Sequence, residues 1–294
     1  MSVEDPVIIL GAERSGTTLL YSVLANHLDF YWLSRLDSLF PAFPGLTCLI
    51  RRLVDSLAGE QKYSAIPNAI SRSQGLIPPS ECLPYWKRIF KWGDEDNYKV
   101  DDDYFDETDL DLIIKKNIVR DLDKRLIYLG KRRLLFKQPA FSLKIRYLGA
   151  LFPEAYFIHV IRNPLDNLAS MVKAKRKSGK KYWGTKVPGW RNFIDSDVDV
   201  QSAFQIRSVL DIIERDIHHT DELERRFLQV KYEDLINQPL EVTNKVLQFC
   251  ELTISPEITR SLTGIRKRES EYKQWLVSDE VRKILDPLVL RYGY

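Results

Sequence analysis

The sequence predicts one α/β domain, residues 1–294, with a mostly parallel central sheet flanked by helices. Three observations predict it. Short, near-continuous apolar runs at 7–10, 134–136, 156–161 and 227–230 have the character of strands buried on both faces. Longer stretches between them carry apolar residues at i, i+3 and i+4, which is helical spacing. No internal repeat or low-complexity linker divides the chain, and its 44% hydrophobic content suffices for one core.

The first element is Val7-Ile-Ile-Leu, which runs into Gly11-Ala-Glu-Arg14-Ser15-Gly16-Thr17-Thr18 and then into Leu19, Leu20, Val23 and Leu24 at helical spacing. This is a strand, a tight turn and a helix N-terminus, an arrangement that aims free backbone N–H groups at one anion. Gly11 to Gly16 has the spacing of G-x-x-x-x-G-K-[ST], but Thr17 stands in place of the lysine. A triphosphate grip is therefore incomplete, whereas Arg14 and the hydroxyls of Ser15, Thr17 and Thr18 suit a single terminal anion. A solvated turn with no ligand is the alternative at this point.

The first helix should end near His27, read as a capping or packing residue, before a second short strand at 30–33. Residues 46–57 read as a helix laid over the first strand. Gly75-Leu-Ile-Pro-Pro-Ser80-Glu81 leads into an aromatic helix through Tyr85 and Trp86. By itself Glu81 reads as a first-turn carboxylate. The acidic run at 94–111 reads as a solvated loop without a calcium-loop pattern. A helix at 110–129 ends at Gly130, and the strand after it stops at Lys137 and Pro139. A lysine at the carboxyl end of a strand lies where open α/β sheets place ligand groups, and an ordinary surface lysine is the alternative reading at this point.

A helix at 142–151 precedes the clearest strand, 156–161, which ends in Arg162-Asn-Pro164. Pro164 suits a helix start, so Arg162 lies at a second strand-to-helix turn with Ser170 two turns along, well placed for bidentate phosphate contact. His159, inside the strand, reads as a core residue. Residues 173–191 mix lysine and arginine with Tyr182, Trp183 and Trp190 and read as a basic aromatic lid, at most 173–196, with a solvated charge run as the alternative for the lysines. A helix at 198–220 follows and ends in His218 and His219, which lack further ligands for a metal. A strand at 227–232, helices at 240–249 and 278–290, and a basic stretch containing Arg266, Lys267, Arg268 and Lys273 complete the chain.

The net charge of +3 is too mild to argue for nucleic acid. Cys48, Cys82 and Cys250 are widely spaced, so neither a disulfide framework nor a zinc site is indicated. With no signal-peptide pattern and no run approaching about 20 apolar residues, a cytoplasmic protein without a membrane span is expected.

Together these motifs resemble the sulfotransferase family, which uses 3′-phosphoadenosine 5′-phosphosulfate (PAPS). Gly11 to Leu20 is similar to that family's 5′-phosphosulfate loop, and Val160-Ile-Arg162 through Ser170 to its 3′-phosphate element. Val230-Lys-Tyr232-Glu-Asp-Leu resembles a segment whose tyrosine lies near the adenine. Phe136-Lys137-Gln-Pro139 resembles a K-x-P element of tyrosylprotein and related members. The resemblance implies a P-loop-like sulfotransferase architecture in which 37–129 is a helical and loop insertion covering the substrate side.

It further implies that Arg14, Ser15, Gly16, Thr17, Thr18 and Leu19 wrap the phosphosulfate, and that Arg162 and Ser170 hold the 3′-phosphate. Tyr232 and Lys273 are further candidate contacts, Lys137 neutralises the leaving oxygen, and no metal is required. Glu81 becomes the candidate general base, because bacterial-type members carry a P-x-E element before an aromatic helix; Asp37 is the second candidate. The expected product is 3′,5′-ADP, and the acceptor a hydroxyl or amine on a small molecule, carbohydrate or peptide. A diverged P-loop kinase or nucleoside triphosphatase and a non-catalytic nucleotide-binding module are the competing readings.

Overall fold

Among the described residues five strands pair in parallel in the order β2-β3-β1-β4-β5. The computed structural model describes residues 5–57, 79–90, 102–265 and 277–294. In chain order the first elements are β1 (Val7–Leu10), α1 (Thr17–Leu24), β2 (Phe30–Tyr31), α2 (Arg35–Leu39), α3 (Pro44–Leu57) and α4 (Leu83–Phe90). Then come α5 (Leu112–Leu129), β3 (Arg133–Lys137), α6 (Ile145–Leu151), β4 (Tyr156–Ile161), α7 (Pro164–Ser178), α8 (Val198–Ile217) and α9 (Asp221–Arg225). The last are β5 (Phe227–Lys231), α10 (Tyr232–Asn237), α11 (Pro239–Phe249), α12 (Pro256–Leu262) and α13 (Asp279–Arg291).

The expected single α/β domain is what forms, and the near-continuous apolar strands follow from burial on both faces. Along β1, Val7 and Ile9 point to one side with α1 and α11, whereas Ile8 and Leu10 point to the other with Phe136, Phe141 and α8. Register aligns the carboxyl ends: Ile9 sits opposite Lys137, Leu10 opposite His159, and Ile161 opposite Lys231. The chain leaves β1 between β3 and β4, so β1 is the switch point at which such sheets open a crevice. Residues after β1, β3 and β4 therefore meet at one edge.

Two boundaries differ from the expectation. Pro139–Leu143 is a tight 3-10 turn, and α6 begins only at Ile145. Tyr232 starts α10 rather than ending β5, which turns its ring toward the sheet edge. The acidic run is also not simply solvated where it is described. Asp103 N donates to Lys186 O and Asp103 Oδ2 accepts from Lys186 N, both at 2.7 Å, while buried Lys144 donates to the Asp103 carbonyl. Burial pulls the Lys144 ammonium down to about 8. That segment is a strap over a buried cation.

Candidate active site

The glycine loop is formed by backbone conformations that few residues adopt. Gly11 has φ 148°, and a Cβ there would come within 2.5 Å of Val160 O and 2.6 Å of Ser15 Oγ. Gly16 has φ 101°, and a Cβ there would run into the Tyr232 ring. Arg14, with no glycine's freedom, sits at φ 69°, a strained position held by its surroundings. Ser142 clamps the loop from β3's side: its Oγ accepts from Gly11 N at 2.9 Å and donates to Gly11 O at 3.1 Å. Helix α1 has no side-chain N-cap, so the unpaired N–H groups of its first turn face the loop. Thr17 is buried, Thr18 is exposed, and the Leu19 side chain belongs to the core.

The second anion element comes to the same place. Arg14 Nε donates to Ser170 Oγ at 3.2 Å, and Arg162 Nη1 donates to the Arg14 carbonyl at 3.3 Å. The Arg162 guanidinium lies 5.0 Å from the Tyr232 ring centre. Asn163 caps α7 by accepting from Leu165 N at 3.0 Å, and Glu233 accepts from Asn163 N at 3.0 Å while receiving the Tyr294 hydroxyl at 2.7 Å. Arg14, Gly16, Arg162, Ser170 and Tyr232 thus form one cluster. The residues fit an anionic ligand by a physical test: Ser15 Oγ and Arg162 Nε are buried polar atoms with no hydrogen-bond partner among the described residues.

Lys137, opposite Ile9 at the carboxyl end of β3, forms an ion pair with Glu81. The Lys137 side chain is 5% exposed and that of Glu81 47%, so a buried ammonium meets a carboxylate open on one side. Glu81 precedes α4, whose first turn carries no acid, and the helix-dipole reading does not describe its position. Its segment is fixed by Ser80 N donating to Leu33 O at 2.9 Å and by the Tyr21 hydroxyl donating to Ser80 O at 3.3 Å. Trp86 anchors α4 between Phe136 and Phe141, each ring 5.0 Å away. Burial pushes the neighbouring Cys82 thiol up to about 12, which keeps it protonated.

Asp37, the second candidate base, is occupied elsewhere. It is 2% exposed; its Oδ2 accepts from Ser34 N at 2.8 Å and from Ser34 Oγ at 2.7 Å, and its Oδ1 pairs with Arg125. His159 is buried in β4, where burial pulls the imidazole down to about 4 and keeps it neutral. His27 Nε2 lies 2.9 Å from Thr253 O, a packing contact. Among the described residues no group of three or more His, Cys, Asp or Glu side chains could hold a metal, and no helix is long and apolar enough to cross a membrane. Lys273 lies outside the described residues.

The aromatic part of the expected lid is core. Tyr182 and Trp190 are buried with ring centres 4.8 Å apart, and Lys175, Lys186 and Arg191 lie against these rings. Packing, not ligand stacking, accounts for these aromatics. What pins the segment is Glu13, a residue of the glycine loop that sequence reasoning passed over. Its carboxylate accepts from Thr185 N at 2.5 Å and from Thr185 Oγ1, and Asn167 Nδ2 donates to its carbonyl at 2.7 Å. Gly184 leaves the room for this, since a Cβ there would lie 2.8 Å from Glu13 Oε1. Nearby Lys175 is pulled down to about 8 by burial, with Glu13 opposing the shift. A carboxylate inside an anion loop was the available signal, because its charge must be neutralised on the side away from the ligand.

Comparison with known proteins bears on the family and the fold. The model of the Sulfotransferase family matches residues 6–256. The chain is 24% identical over 312 residues to the omega-hydroxy-beta-dihydromenaquinone-9 sulfotransferase Stf3 of Mycobacterium bovis, an alignment covering 99% of this chain and 76% of that protein. Sulfotransferase STF9 from Mycobacterium avium superposes with a TM-score of 0.63 at 18% identity, over 98% of this chain and 77% of the other. For sulfotransferase STF1 from Mycobacterium tuberculosis the TM-score is 0.57 at 16% identity, over 97% and 77%.

Proposed function

This chain belongs to the sulfotransferase family and is an enzyme of that class, and from that premise we propose that it transfers a sulfuryl group from PAPS to the hydroxyl, or amine, of a small-molecule acceptor. The observation that supports this reading is the junction of the two anion elements. Arg14 Nε donates to Ser170 Oγ, with the partnerless Ser15 Oγ and Arg162 Nε alongside. A ligand anionic at both ends of one ribose uses both. The omega-hydroxy group in the name of the mycobacterial relative agrees with a hydroxyl acceptor. Three free, buried cysteines agree with a reducing compartment, which we take to be the cytoplasm.

PAPS supplies the sulfuryl group and a phosphate leaving group. Arg14, the loop N–H groups and the hydroxyls of Ser15, Thr17 and Thr18 bind its 5′ end; Arg162 and Ser170 hold the 3′-phosphate, beside Tyr232. Lys137 donates to the oxygen that keeps the electron pair as its bond to sulfur breaks, while the acceptor oxygen forms the new bond. Glu81 takes the acceptor's proton. The Glu81 and Lys137 pair links the two roles: when the ammonium turns to the leaving oxygen, the carboxylate oxygen it held is released to accept.

Titration calorimetry with 3′,5′-ADP and with ATP, each with and without EDTA, tests the donor. We expect 3′,5′-ADP to bind at least ~10-fold more tightly than ATP, unaffected by EDTA. Preferred ATP binding that EDTA abolishes would establish the P-loop kinase or triphosphatase reading instead.

A further inference from the structure

Helix α3 is built inside out. Its inward residues include two polar ones beside Cys48: Thr47 is 2% exposed and Arg51 4%, and Arg51 Nη1 donates to Trp32 O at 2.8 Å with its guanidinium 3.6 Å from the Trp32 ring centre. The apolar residues face outward. Leu46 and Leu49 are 45% and 56% exposed, and Phe40 and Phe43, just before the helix, 41% and 61%. The same surface continues onto α5 through Ile127 and Tyr128, 59% and 46% exposed, since a Cβ on Gly45 would lie 3.9 Å from the Tyr128 ring. Ordinary amphipathic helices turn such a stripe to the core.

Charge on the described part of this surface is mainly positive, with exposed Asp109 and Asp111 at the start of α5 the exceptions. Within residues 28–54 and 112–132, the exposed charged side chains are cations: Arg35, Arg52, Lys116, Arg120, Lys124 and Arg132. The described acids within these ranges are recessed or paired: Asp37 and Asp121 pair with Arg125, Asp29 lies 3.8 Å from Arg132, and Asp123 is half-buried. Exposed leucines and aromatics set among cations match the chemistry of an anionic bilayer interface, where apolar side chains enter the acyl boundary and arginine and lysine meet lipid phosphates. A second protein surface rich in basic residues would be repelled, and a neutral apolar partner would leave the cations without a role.

The surface also adjoins the Glu81 segment. Ser38 Oγ lies 3.0 Å from Cys82 Sγ, and Ser34 bridges Pro79. We propose that the α2–α3–α5 face docks this protein peripherally on an anionic lipid bilayer. Docking there brings the bilayer interface up to Glu81, so that an amphiphilic alcohol can present its hydroxyl without leaving the lipid; that consequence rests on the proposed transfer reaction, whereas docking does not.

Vesicle flotation of the full chain tests docking separately from activity. The probes are phosphatidylcholine vesicles with and without about one third phosphatidylglycerol, at low and high salt. We expect binding to the anionic vesicles, at least ~10-fold weaker on neutral vesicles or in high salt, and a loss of ~10-fold or more in Leu46→Glu/Leu49→Glu and in Arg52→Glu/Lys124→Glu. Circular dichroism and 3′,5′-ADP titration of the variants check folding. Absence of anion-dependent binding by the unaltered protein overturns the proposal, as does equal binding by correctly folded variants. Conversion of a dimer to a monomer by Leu46→Glu/Leu49→Glu in light scattering would assign the face to a second copy of the chain. Hydrogen exchange showing α3 sheltered by residues 58–78 and unchanged by vesicles would assign it to this chain itself.

Discussion

Replacing Glu81 by Gln separates a general base from a structural ion pair, and the geometry sets what each role is worth. Lys137 is almost fully buried, but the Glu81 side chain is 47% exposed. Breaking a fully buried pair costs about 3–5 kcal/mol, while exposed pairs contribute about 0–1 kcal/mol. A half-exposed partner and a glutamine carbonyl that can still accept from the ammonium place the cost near ~1 kcal/mol, or a melting shift of about 2–4 °C. A lost general base instead lowers turnover by ~10²-fold or more. Turnover is measured with labelled PAPS and a panel of phenols and long-chain alcohols, alongside calorimetry with 3′,5′-ADP. The expected result is a turnover drop of ~10²-fold or more, nucleotide affinity within about 3-fold of the unaltered protein, and a small melting shift. Turnover within about 3-fold would remove Glu81 from the chemistry. A parallel fall in turnover, affinity and melting temperature would assign it to folding.

Three further outcomes follow from the same site. Arg162→Ala should weaken 3′,5′-ADP by ~10-fold to 10²-fold through loss of charge-assisted hydrogen bonds, measured by calorimetry, with the melting temperature of the free protein little changed. Glu13→Ala leaves Thr185 N and nearby Lys175 without their buried carboxylate; a loss of about 3 kcal/mol in urea unfolding, with weaker 3′,5′-ADP binding, is expected. His159 is held near 4 against an ordinary value of 6.5, so between those values the unfolded chain binds more protons than the folded one. Stability should therefore decline as pH falls from about 6.5 to about 4, by about 3 kcal/mol in all, and His159→Leu should flatten that slope in urea titrations.

The sheet was legible because its strands are buried on both faces and read as near-continuous apolar runs. Arg14, Gly16, Arg162 and Ser170 were legible as local strand-to-helix turns, although their meeting point depends on the order β3-β1-β4, which no local pattern encodes. Glu13, Ser142, Thr185 and Glu233 escaped notice because each acts across 70 or more residues of chain. The lid expectation misread Tyr182 and Trp190, since aromatic residues among lysines look alike in sequence whether they stack on a ligand or on each other. Helix α3 exposes a related limit. Periodicity locates an apolar stripe, but only the fold says whether the stripe faces the core.

The position of Thr17 gains its meaning from this long-range assembly. A lysine there would place its cation on the same helix turn that supplies the N–H groups. Here the cations come from other directions: Arg14 from within the loop, Arg162 from the end of β4 and Lys137 from the end of β3. Arg14 is tied to Ser170 and Arg162 to the Arg14 carbonyl, whereas Lys137 is tied to Glu81. Two of the three cations are thus coupled to each other and the third to a carboxylate open on one side. That division fits binding by the arginine pair and proton-linked chemistry by Lys137 with Glu81. It also gives the two groups different signatures: arginine substitutions should act on nucleotide affinity, and substitutions of the Lys137 and Glu81 pair on turnover. A double-mutant cycle between Arg162→Ala and Glu81→Gln should accordingly be additive in turnover within about 0.5 kcal/mol. Strong coupling would mean that the two groups act as one unit and would refute the division.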